Sequence, residues 1–105
     1  MIRTTPYRLG ALGAAGILLA LAAPALAYTG QKLAGQAKVT ITQARETALK
    51  AHPGKVTDEE LERESGGSGL RYSFDIKNGS RTQEVGVDAA SGKVLENKTE
   101  GPHPD

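Results

Sequence analysis

Between Leu70 and Lys77 the chain alternates without a break: Leu70, Tyr72, Phe74 and Ile76 against Arg71, Ser73, Asp75 and Lys77. A period of two predicts a strand with one face buried and the other wet. Asn78-Gly79 follows, a dipeptide suited to a tight hairpin turn because both turn positions need positive φ. With these two as the loop, Tyr72 faces Val85, Leu70 faces Val87, Phe74 faces Gln83 and Asp75 faces Thr82. The large apolar residues then share one face.

Upstream the period changes to that of a helix. Ile41, Ala44, Ala48 and Leu49 fall on one stripe, with Arg45, Glu46 and Lys50 facing out. Thr40 at the N-cap and Gln43 three residues on form a capping box, and Val39 with Ala44 forms a hydrophobic staple. Pro53-Gly54 ends the helix, since a residue before proline avoids the α region.

Lys55 to Glu64 is an acidic stretch around Leu61, read as the first strand of a meander that pairs with the 70–77 strand. Ser65-Gly66-Gly67-Ser68-Gly69 is a loop, Asp88-Ala89-Ala90-Ser91-Gly92 a turn, and Lys93-Val94-Leu95 a short last strand. The fold class is therefore α+β: one N-terminal helix packed on a three- to four-stranded antiparallel sheet, the other sheet face polar and open.

The flanks differ in composition. Residues 28–38 are Gly- and Gln-rich and read as a flexible arm. Residues 97–105 carry two prolines and no large apolar residue, and read as a disordered tail. The domain itself spans residues 39–96. Ahead of the arm, Arg3 and Arg8 precede an uncharged run from Leu9 to Ala27 that closes on Pro24-Ala25-Leu26-Ala27. A basic start, an apolar stretch and an A-x-A end predict a secretory signal peptide over residues 1–27, cut after Ala27. The product is expected in the periplasm or the medium, with no stable membrane anchor.

The whole chain has 105 residues with 13 Lys+Arg and 12 Asp+Glu, a net charge of +1. That balance argues against nucleic-acid binding, which calls for a basic excess. With no cysteine, disulfides, thiolate metal sites and thiol nucleophiles are excluded. No serine lies in a G-x-S-x-G elbow. The only histidines are His52, at the helix end, and His103, in the tail. Neither belongs to a four-ligand zinc pattern. No catalytic set, cofactor or metal site is expected.

The ordered motifs resemble the PepSY domain. They are Val39-Thr40-Ile41 with Ala44 and Ala48, Ala51-His52-Pro53-Gly54-Lys55-Val56, Leu61-Glu62, Tyr72-Ser73-Phe74-Asp75-Ile76, and Val85-Gly86-Val87-Asp88-Ala89-Ala90-Ser91-Gly92-Lys93-Val94-Leu95. The last run resembles the family's V-D-A-x-[ST]-G-x-[VI]-L ending. The resemblance implies a helix on an antiparallel sheet and a non-catalytic role in binding and regulating, by inhibition, an extracytoplasmic peptidase.

The expected partner is thus a protein, with a secreted or periplasmic metallopeptidase favoured. The chain itself is expected to be a monomer or a weak homo-oligomer. Alternative readings are an envelope ligand- or metal-sensing module using the acidic stretch and His103, and a structural protein-interaction module. The open face and the acidic edge strand supply the candidate partner-binding residues: Glu60, Glu62, Glu64, Arg71, Asp75 and Glu84. Strand addition at the acidic edge is the mode such a strand invites.

Overall fold

The computed structural model describes residues 27–100. The predicted signal peptide lies outside these residues except for Ala27, and His103 lies outside them too. The elements in chain order are a 3-10 helix Gln31–Gln36, helix α1 Ile41–Ala51, and strands β1 Lys55–Arg63, β2 Leu70–Asn78, β3 Arg81–Asp88 and β4 Val94–Thr99. The strands form one antiparallel sheet in sequential order. The predicted helix on a meander is what the chain adopts.

The capping box forms as expected. Thr40 N–H donates to Gln43 Oε1 at 3.0 Å, and Gln43 N–H donates to Thr40 Oγ1 at 3.1 Å. Ala44 and Ala48 are fully buried on the sheet, so the helix axis can approach closely. Leu61, Tyr72, Phe74, Ile76, Val85 and Val87 fill the sheet side of the core. Each such side chain contributes about 1.5–3 kcal/mol on burial. The Tyr72 hydroxyl is satisfied by donating to Val39 O at 2.7 Å, which ties β2 to the residue before the N-cap.

Three expectations are corrected. The hairpin loop is Gly79-Ser80, not Asn78-Gly79, because Asn78 pairs with Arg81 inside the ladder. Its side-chain amide also donates to Pro53 O at 3.1 Å. The register moves by two residues, which keeps every side chain on its expected face. Phe74 now opposes Val85, and Asp75 opposes Glu84.

The arm over residues 28–38 is docked rather than flexible. Thr29 bridges Glu60 in parallel, Leu61 N–H donates to Thr29 O at 2.8 Å, and Tyr28, Leu33 and Ala37 pack on the core. Gly30 makes this possible: its φ is +84°, and a Cβ there would stand 1.7 Å from Leu61 O. The third correction concerns the tail. β4 continues through Asn97-Lys98-Thr99, and Glu100 N–H still donates to Thr82 O at 2.7 Å.

Candidate functional site

Two irregularities decide which side chains reach the open face. In β1 the pairing shifts between Val56 and Asp58. The extra residue, Thr57, reverses the alternation, so Val56 and Leu61 can both face the core although five positions apart. In β4 the pairing shifts between Val87 opposite Val94 and Gly86 opposite Glu96, leaving Leu95 as the extra residue. After the bulges Asp58, Glu60 and Glu62 of β1 and Glu96 and Lys98 of β4 fall on the face away from α1.

The register then lays these residues in rows. Asp58, Asp75, Glu84 and Lys98 form one row across the four strands. Glu60, Ser73, Gly86 and Glu96 form the next, and Glu62 opposite Arg71 begins a third. Asp58, Glu60, Glu62, Ser73, Asp75, Glu84, Lys98 and Glu100 line a shallow groove of about 280 Å³. Six carboxylates thus meet one ammonium.

Crowding like charges costs free energy, and the carboxyls respond by holding protons. Glu84 is pushed up to about 7, first by a hydrogen bond shared with Glu100, then by burial and the charges of Glu96 and Glu100, against the opposing pull of Lys98. Glu60 is raised by a hydrogen bond shared with Asp58 and then by burial. Asp75 is raised by burial first and by Asp58 and Glu100 after it. Among the described residues no three acidic or imidazole side chains are arranged to hold a metal ion.

At the far margin of the groove Arg71 lies flat on the sheet. Its stem crosses Gly86, where a Cβ would come within 2.9 Å of Arg71 Cδ. The guanidinium donates to Ser65 O at 2.9 Å and sits 3.6 Å from Glu96 and 4.0 Å from Glu64. Lys98 pairs with Glu96 at 3.2 Å. Glu62 accepts from Ser73 Oγ at 3.0 Å.

Of the six candidate residues, Glu60, Glu62, Asp75 and Glu84 line the groove, while Arg71 and Glu64 form its rim. Glu59, part of the same acidic stretch, turns to the helix side and accepts a two-point ion pair from Arg45, the second contact being 3.0 Å. Arg45 therefore does not simply face solvent. Sequence reasoning missed Asp58, Lys98 and Glu100 in the groove and Glu96 beside it. The alternation of Glu96, Lys98 and Glu100 was the available signal, hidden by reading residues 97–105 as a tail.

A second carboxylate has a different role. Asp88 is 2% exposed and accepts from Ser68 N–H, Ser68 Oγ and Ser91 N–H at 2.7, 2.8 and 2.8 Å. Burial alone would raise it. The amide and hydroxyl donors of Ser68 and Ser91 more than reverse this and hold it well below the usual range. It ties the Ser65–Gly69 loop to the turn after β3 and does not face the groove.

The family model described as "Peptidase propeptide and YPEB domain", PepSY, matches residues 38–98, more than half of the chain. Comparison with curated proteins and with solved structures gives no match. PepSY domains are in general non-catalytic propeptide- or inhibitor-like modules, and they are typically extracytoplasmic. No helix among the described residues is long and apolar enough to cross a membrane. The matched span takes in α1 and all of the sheet but Thr99, and the chain belongs to the PepSY family.

Proposed function

We propose that this chain is a non-catalytic exported module that docks its acidic sheet face on a basic surface of an extracytoplasmic peptidase and inhibits it by occlusion. The observation that carries this reading is the row arrangement: six carboxylates on a sheet face that no element among the described residues covers. Such a face presents a field rather than a reactive centre. It speeds encounter with a cationic surface and selects against acidic ones. Membership of a family described by peptidase propeptides makes a peptidase the favoured class of target, with a metallopeptidase first among them. Export rests on the basic, apolar and A-x-A pattern of residues 1–27.

The test is capture by immobilised protein from the envelope and secreted fractions of the native host. A variant carrying Glu60→Lys, Glu62→Lys and Glu84→Lys runs beside the wild type. A peptidase held by the wild type and lost by the variant supports the proposal. A partner that is no peptidase, or one held equally by both proteins, contradicts it.

A further inference from the structure

The two edges of the sheet are not alike. The β1 edge is occupied at its centre by Thr29, bridged to Glu60 and bonded to Leu61. Gln36 adds a side-chain contact, accepting from Arg63 Nη2 at 2.6 Å. Strand addition there, which the sequence invites, meets the chain's own arm. No described residue pairs with the outer side of β4. We propose that β4 is the docking edge, and that its occupant is β4 of a second copy of this chain, paired antiparallel about Asn97.

The backbone fixes which groups are free. Glu100 N–H points at β3, donating to Thr82 O at 2.7 Å. Antiparallel pairs alternate between bonded and non-bonded, so Lys98 and Glu96 also turn their backbone groups toward β3. Asn97 and Thr99 turn theirs outward. A two-fold axis at Asn97 places it opposite its own copy as a bonded pair, with donors and acceptors matched.

The same axis sets the side chains. Glu96 falls opposite Lys98 of the second copy, and Lys98 opposite Glu96 of the second copy. Both are non-bonded positions, where cross-strand side chains lie closest and opposite charges stabilise the pair. Each Lys98, 62% exposed and already 3.2 Å from its own Glu96, would then sit between two carboxylates. A lysine on an edge strand ordinarily discourages pairing. Here the copy brings the counter-charge, and a neutral strand would not, which makes the edge selective for itself.

Other registers fit less well. One centred on Leu95 puts the bulge at its middle. One centred on Thr99, the last residue of β4, has the strand on only one side of its axis. Val94 and Leu95, the large hydrophobic side chains left most exposed at 40% and 37%, flank the favoured ladder and bring apolar area to both of its ends.

Sedimentation equilibrium of the purified protein over a wide concentration range tests this. The wild type is expected to dimerise with concentration. Lys98→Glu alone and Glu96→Lys alone each turn two attractions into repulsions and should raise the dissociation constant about tenfold. An equimolar mixture of the two variants should regain dimers, since each supplies the charge the other lacks. Asn97→Pro deletes the outward N–H, a change edge strands tolerate, together with the bond that Asn97 Oδ1 accepts from Gln83 Nε2 at 2.6 Å. It should give a monomer with an unchanged circular dichroism spectrum, whereas Asn97→Ala, which loses that bond but keeps the N–H, should still dimerise. Because Glu96 also holds Arg71, Lys98→Glu and Asn97→Pro decide the matter if Glu96→Lys unfolds. A wild type that stays monomeric at millimolar concentration would overturn the proposal. So would a dimer indifferent to both Lys98→Glu and Asn97→Pro, or folded single variants that fail to associate when mixed.

Discussion

Asp88 accepts both the amide and the hydroxyl of Ser68, a residue twenty positions earlier, through a single carboxylate oxygen. Its other oxygen takes Ala90 N–H and Ser91 N–H at 3.2 and 2.8 Å. One buried anion thus closes two loops at the same end of the sheet. Asp88→Ala leaves these donors unpaired and should cost about 3 kcal/mol at neutral pH, a large share of what so small a domain has. Chemical denaturation of the two proteins measures it. The sign of the pH dependence follows from the lowered pKa. The contribution is complete above the unfolded value near 3.9 and is lost as pH falls toward the folded one. The gap between wild type and variant should therefore narrow in acid and stay constant from pH 6 to 8.

Glu84 behaves in the opposite sense. Its folded pKa is raised to about 7 by the hydrogen bond with Glu100 and by burial. A raised carboxyl contributes stability that is complete below its unfolded value near 4.3 and lost as pH climbs through about 7. Wild-type melting temperature should fall between pH 5 and pH 8. Glu84→Gln should remove most of that slope, a difference of about 4 °C, kept small by solvent screening on the open side. Thermal melts at the two pH values decide it.

Ala48 is 0% exposed where α1 meets the sheet. A larger side chain has no room in a close-packed contact. Ala48→Leu should destabilise by about 1–3 kcal/mol, whereas a leucine at the exposed Lys50 should change stability by less than about 0.5 kcal/mol. Urea midpoints of the two variants give the comparison.

Gly30 tests whether the arm belongs to the domain. Alanine there meets Leu61 O and needs a φ of +84°, so Gly30→Ala should release residues 28–36 from β1. Hydrogen exchange at the Leu61 amide, bonded to Thr29 O, should quicken at least about tenfold as the opening becomes local rather than global. The amides of Phe74 and Val85 should be slowed as before.

Most of the fold can be read along the chain because its strongest signals are local. The alternation around Phe74 and the Thr40–Gln43 box each depend on residues within a few positions of one another. The hairpin register does not. Asn78-Gly79 and Gly79-Ser80 both suit a tight turn, and the choice is settled by Phe74 against Val85 and by the distant Pro53 carbonyl. The bulges at Thr57 and Leu95 are likewise invisible locally, since each exists only relative to a partner strand. Alternation around Leu61 does separate Glu59 from Glu60, but Lys98 stays out of the expected groove because residues 97–105 read as a tail. The short arm looked flexible because its composition is poor in apolar residues, yet one glycine at the right approach lets Tyr28 and Leu33 reach the core.

In the proposed function the acidic face acts on a peptidase without chemistry of its own. The most direct measurement is the activity of an extracytoplasmic metallopeptidase of the host, titrated with this protein at pH 8, above the raised pKa of Glu84. The account predicts a saturable loss of activity at one chain per enzyme, at least about tenfold weaker for the variant with Glu60, Glu62 and Glu84 changed to lysine. Full activity under a large excess of wild-type chain, or equal inhibition by the charge-reversed variant, would contradict it.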